Sequence, residues 1–239
     1  MDIAYEKGLL ANEEMDKLLG MDSSYERNVY LKEAISKKLA SSVNGKEADY
    51  FNWIVKVWGG IRTYSKSPEY VRKCINTLLN DNYLTFDGIA SMSKIVSFMF
   101  PDKYIIYDAR VCYSLNWILL KNKASNKYFP VPESRNTKLN AFDIDVIIRL
   151  ANMENYQVSQ TVNPTSRTFI NQRDKSLYIT QEEAYITMCD LINIINKELW
   201  DDNDRRKVFP FYTEMILFAI AVEEIFIDIA NSCKLEVGC

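Results

Sequence analysis

A chain of 239 residues, 48% hydrophobic and 26% charged, can close one core, or two small lobes sharing a core. It has no histidine, which excludes imidazole bases, Ser-His-Asp triads and the commonest metal ligand. The net charge of −3 disfavours a nucleic-acid partner for the chain as a whole, but 13 basic and 6 acidic residues fall between Lys56 and Lys138, making that segment a basic island in an acidic protein.

Seven glycines and six prolines are few, and so little punctuation favours long helices. The apolar periodicity predicts a first helix over Asp2–Leu19 and a second over Ser24–Ala40, capped by Ser23 or Ser24 and ending in Lys37-Lys38. After a loop at Ser41–Gly45, a third helix carries Ala48, Phe51, Trp53, Ile54, Val57 and Trp58 and stops near Gly59-Gly60. Pro68, following Ser67, suits a first helical position and opens a helix to Leu79. Asn80–Gly88 reads as a loop.

The stretch Ser91–Asn116, SMSKIVSFMFPDKYIIYDARVCYSLN, is the most informative of the chain. Ser91 or Ser93 can cap a helix through Met99, with Lys94 in its first turn and Pro101 ending it. Asp108 follows the apolar run Tyr104-Ile105-Ile106-Tyr107 and opens a helix through Leu120. An aspartate in that position is partly desolvated and held as the anion by helix amides. A lysine facing it across a helical hairpin is a candidate amine nucleophile.

Ala124–Asn140 reads as a long loop, Ala141–Glu154 as helix and Gln157–Ser176 as a polar, turn-rich stretch. A strong helix covers Thr180–Trp200, with Thr180 and Glu183 as a capping box. Asp201–Lys207 is a charged connector, read as a solvated linker rather than a cation loop. Phe211–Cys233 is apolar almost all round at its centre, which predicts a buried core helix. Short strands at Tyr104–Tyr107 and Ser176–Ile179 are the alternatives to irregular backbone there. The chain is expected to be all-α, an orthogonal multi-helix bundle of about eight to ten helices. It reads as a single domain over 1–239 or as two lobes, about 41–138 and 1–40 with 139–239.

The longest apolar run, Met215–Val222, is eight residues, against the about 20 that a membrane span needs. The acidic N-terminus lacks the basic start of a signal peptide. Five scattered cysteines without C-x-x-C spacing suit free thiols in a reducing cytosol, with no zinc or iron–sulfur site. A cytoplasmic protein without cofactor is the expectation.

Lys94 and the segment Tyr107-Asp108-Ala109-Arg110-Val111 resemble the lysine and the aspartate segment of the helix-hairpin-helix DNA glycosylases, especially the bacterial 8-oxoguanine glycosylase-like branch. Trp58-Gly59-Gly60-Ile61-Arg62 and Phe209–Met215 also look like segments of that branch. The resemblance implies the helix-hairpin-helix glycosylase fold and removal of a damaged purine through a lysine Schiff base, with a damaged DNA duplex as partner. Lys94 would be the nucleophile and Asp108 the acid/base partner. Ser91, Ser93, Arg110, Lys121, Lys123 and Lys127 are then candidates for holding phosphates, and Trp117 and Phe129 for stacking on a flipped base. Where the family has two glycines just before its lysine, this chain has only Gly88, six residues earlier, and the Lys-to-Asp interval is 14. That departure sustains an alternative, a non-catalytic helical module that binds nucleic acid or protein.

Overall fold

The computed structural model describes residues 8–41, 46–133, 136–152 and 175–233. They are mostly helical, with no β-strand among them, so the chain is all-α as expected. It forms two compact units, Met1–Tyr107 with Tyr185–Glu214, and Asp108–Ala184 with Met215–Cys239.

The first unit begins with α1 (Asn12–Leu19) and α2 (Ser24–Ser41). α1 is shorter than predicted: Gly8–Ala11 is not helical, and residues 2–7 lie outside the described residues. The Glu14 carboxylate accepts from the Ala11 N–H at 2.7 Å and fixes the helix start at Asn12. α3 (Glu47–Asn52) runs on into a π-helical turn, Trp53–Trp58, which ends at Gly59. α4 (Pro68–Asp81) has the predicted start, with Ser67 Oγ accepting from the Tyr70 N–H. α5 (Ile89–Met99) is buried on every side, and the unit packs around it.

The start of α5 differs from expectation. Gly88 takes φ +72°, the left-handed conformation that glycine adopts without a Cβ penalty, and its carbonyl accepts from Ser91 and Met92. The helix therefore opens at Ile89, neither Ser91 nor Ser93 is a cap, and Lys94 is its sixth residue rather than a first-turn residue. Ser93 instead turns inward, its Oγ accepting from the Tyr107 N–H at 3.0 Å. Tyr185 Oη, on α9 (Gln181–Leu199), donates to the Ile105 carbonyl at 3.1 Å. These bonds explain why the buried run Tyr104–Tyr107 is no strand: side chains of helices, not a neighbouring strand, satisfy part of its backbone.

One charged pair lies in this core. Lys32 of α2 is 3.8 Å from Glu214 of α10 (Phe211–Ile220), with its ammonium 4.6 Å from the centre of the Phe211 ring and 5.7 Å from that of Phe98. Burial pushes the Lys32 pKa down to about 8, against the opposing pull of Glu214.

In the second unit, α6 (Ala109–Lys121) is the central helix, with α7 (Thr137–Ala141) and α8 (Ile144–Ala151) nearby in sequence. α7 lies in the stretch predicted as loop, because Asn136 caps it through the Lys138 and Leu139 N–H groups. α8 starts at Ile144 rather than Ala141, since Asp143 accepts from Asp145 and Val146. Ala109, Tyr113 and Trp117 pack with Ile144, Ile148, Ala221, Ile225 and Ile229. Buried Asn116 donates to the Phe129 carbonyl and accepts from the Phe129 N–H, both at 2.8 Å. Tyr128 also forms an isolated parallel bridge to Tyr178, which is all that remains of the alternative strand at Ser176–Ile179. Gln157–Ile170 and the rest of the predicted turn-rich stretch to residue 174 lie outside the described residues.

The last predicted helix is not one buried rod. α10 gives way to a π-helical turn, Ala221–Ile225, and then α11 (Phe226–Ser232), and Ile227 is 56% exposed. Phe218 is also exposed at its edge, with the Arg110 guanidinium stacked 4.6 Å from its ring centre.

Lys32→Met is expected to destabilise the protein by about 3–5 kcal/mol, because it leaves Glu214 buried without its cation, while Lys32→Met with Glu214→Leu should recover most of the loss. Urea unfolding of both variants checks this. Between pH 8 and the ordinary lysine value of 10.5 the unfolded chain holds more protons at Lys32, so wild type should gain stability relative to Lys32→Met as pH rises through that window.

Candidate functional site

Lys94 is 6% exposed, which is rare for a lysine. Its place follows from α5, whose apolar residues surround it in sequence and bury all faces of the helix. The amine donates to the carbonyl of Ala90, one turn back, at 3.0 Å. Its aliphatic stem meets the end of the π-helical turn: a Cβ built at Gly59 would lie 2.7 Å from Lys94 Cδ. Trp58, just before, packs edge-on against Phe98, one turn after Lys94, with centroids 4.9 Å apart, and donates to Asn28 Oδ1 at 3.0 Å. The lysine stem thus packs against the end of the π-helical turn, and its amine is directed to the Ala90 carbonyl.

Asp108 opens the second unit and caps α6 as predicted, Oδ1 accepting from the Arg110 N–H at 2.9 Å. It is half-buried, at the end of a fully buried run.

The other sequence candidates fall into two groups. Some are engaged inside their unit. Ser93 is fully buried with its hydroxyl at the Tyr107 N–H, and Trp117 and Phe129 are core side chains. The Trp117 indole donates to Asp228 at 2.8 Å, and Lys121 meets the same carboxylate at 2.6 Å. Those two donors, Lys121 first, hold the Asp228 carboxyl below its ordinary range. Arg110 is spent in part on Phe218. Others face solvent: Ser91 is half-buried, and Lys123 and Lys127 are exposed, Lys123 at φ +51° just past the end of α6.

Sequence reasoning missed the titratable cluster of the first unit's core. Besides Lys32 and Glu214 it includes Tyr185 and Cys189 on α9, whose pKa values burial raises, that of Cys189 to about 12. Such a thiol is inert as a nucleophile. The one signal available was the charge of Lys32 on a helix stripe beside Leu31 and Ile35, and that is indistinguishable from a solvated lysine. Cys112 is buried, its thiol toward the Pro130 carbonyl, and packs as a small apolar residue.

Among the described residues no group of His, Cys, Asp and Glu is arranged to hold a metal ion, and no helix is long and apolar enough to cross a membrane. Comparison with protein-family models, with curated proteins and with solved structures gives no match.

Asp228→Asn is expected to lower stability by about 1 kcal/mol and to alter Trp117 fluorescence, since it weakens two hydrogen bonds that tie α6 to α11. Because the folded-state pKa of Asp228 is depressed, its contribution is full at neutral pH and disappears as pH falls through that pKa, so wild type and variant should converge in acid. Chemical unfolding monitored at Trp117 at several pH values tests both.

Proposed function

We propose that this protein is a DNA glycosylase and abasic-site lyase of the helix-hairpin-helix type, acting on a damaged purine of the 8-oxoguanine class. The observation that carries this reading is the burial of Lys94, a single amine held inside an apolar helix. The sequence resemblance around Lys94 and Asp108, the all-α architecture and the basic island at Lys56–Lys138 support it. In the proposed reaction the neutral Lys94 amine forms a bond to C1′ of a flipped-out nucleotide as the bond from C1′ to the base breaks, and the base leaves with a proton. Asp108 serves as the acid/base partner and stabilises positive charge developing on the sugar. Opening of the sugar yields a Schiff base between Lys94 and C1′, and loss of a C2′ proton then expels the 3′ phosphate and cuts the strand.

A second reading is favoured by the state of the cations. Lys121 is paired with Asp228 and Arg110 stacks on Phe218, so two of the candidate phosphate contacts are already occupied within the second unit. A helical module that binds nucleic acid or protein without catalysis needs neither Lys94 nor Asp108 to react.

Borohydride trapping separates the two. Wild type mixed with duplex DNA containing 8-oxoguanine or an abasic site is expected to give a covalent adduct that Lys94→Ala abolishes. No adduct on either substrate would remove the catalytic reading. Binding to the same duplexes should then be measured against salt: a steep loss of affinity as salt rises marks a phosphate-contacting module, and no binding at low salt leaves a protein-binding one.

A further inference from the structure

We propose that Gly59 is the positioning residue for Lys94, and that the π-helical turn Trp53–Trp58 exists in this fold to bring its backbone against the lysine stem. The proposal rests on the reading of Lys94 as the reactive amine.

Gly59 has φ −82° and ψ −8°, a conformation open to any residue, so backbone freedom does not call for glycine here. Space does. A Cβ would stand 2.7 Å from Lys94 Cδ and 2.9 Å from the carbonyl oxygens of both Ile54 and Val55, all closer than non-bonded carbon tolerates. The approach is set by the wide turn: the Gly59 N–H donates to the Ile54 carbonyl at 2.9 Å, five residues back, and the Ile61 N–H to the Val55 carbonyl at 3.0 Å. A regular α-helical end would bond four residues back and turn the chain differently. Trp58 locks the same turn to α5 through Phe98 and to α2 through Asn28. The π-helical turn, its terminal glycine and the lysine stem are therefore one packed layer. With the stem confined at Cδ, the amine has few places to go and rests at the Ala90 carbonyl. A neutral nucleophile gains from such confinement because little rotamer freedom remains to be lost on attack.

The test separates contact with Lys94 from strain in the turn. Gly60 is the control, since it has φ +69° with nothing near its missing Cβ, so Gly60→Ala strains the same backbone without touching Lys94. Gly59→Ala, Gly60→Ala, Lys94→Ala and Gly59→Ala/Lys94→Ala are compared by urea unfolding and by trace acetylation with acetic anhydride, reading Lys94 against exposed Lys127 by mass spectrometry. Gly59→Ala is expected to raise Lys94 acetylation severalfold where Gly60→Ala does not. Its destabilisation should shrink in the Lys94→Ala background, including the case in which Gly59→Ala alone fails to fold and the double variant folds. Equal destabilisation in both backgrounds, or failure of both to fold, would overturn the proposal and assign Gly59 to the Ile54 and Val55 carbonyls alone. On abasic DNA, Gly59→Ala is expected to slow adduct formation by about a hundredfold, the effect of roughly 1 Å of misplacement. If wild type forms no adduct, the lyase reading falls, while acetylation and the double variant still decide whether Gly59 positions Lys94.

Discussion

The structure depends on the need to satisfy polar groups on two helices that are buried along most of their length. α5 and α6 are each the central element of a unit, and along residues 92–98 and 111–117 their polar side chains meet protein rather than water, with Ser97 Oγ and Tyr113 Oη finding no hydrogen-bond partner among the described residues. An unsatisfied buried group costs about 1–3 kcal/mol, comparable to the net gain from several good contacts. α5 answers with Ser93 at the Tyr107 N–H and Lys94 at the Ala90 carbonyl. α6 answers with Asn116 at both backbone groups of Phe129, and with Ser114 donating to the Leu217 carbonyl at 2.7 Å. Ser93 and Asn116 in this way hold the irregular segments at Tyr107 and Phe129, and helical side chains do there what neighbouring strands do in a β protein.

This division explains which parts of the fold could be read from sequence. Elements with a local signal stand where their residues predict them: the Ser67-Pro68 start of α4, the Asp108 cap of α6, and the Thr180–Glu183 box, in which Glu183 N–H donates to Thr180 Oγ1 and that hydroxyl to the Glu183 carboxylate. Those signals are satisfied within a few residues, so no tertiary knowledge is required. Where the partner is distant, sequence fails. Ser91 and Ser93 have the composition of caps, yet Gly88 opens the helix and Ser93 pairs fourteen residues away. The apolar centre of α10 is compatible with a buried rod, and only the structure shows the π-helical turn at Ala221–Ile225 and the exposed Ile227 beyond it.

The candidate site is legible to a similar depth. Lys94 and Asp108 are conspicuous because each punctuates an apolar run, and the structure describes the first as buried and the second as a cap. Lys32 carried no such mark, although it is the more deeply buried of the two lysines. The two buried lysines differ in what surrounds them. Lys32 has a carboxylate and two aromatic faces, the environment that keeps a charge, while burial pulls the other way and brings its pKa to about 8. Lys94 has its stem against Gly59 and its amine at the Ala90 carbonyl, which accepts from an amine in either protonation state. The first arrangement suits a structural ion pair.

A π-helical turn costs good helix geometry and persists where something else compensates. At Trp53–Trp58 the compensation is visible: Trp53, Ile54 and Val55 are buried, Trp58 reaches both α2 and α5, and the turn delivers Gly59 to the stem of Lys94. Glycine at position 59 answers both the turn's own Ile54 and Val55 carbonyls and the stem of Lys94, each within 2.9 Å of where a Cβ would stand.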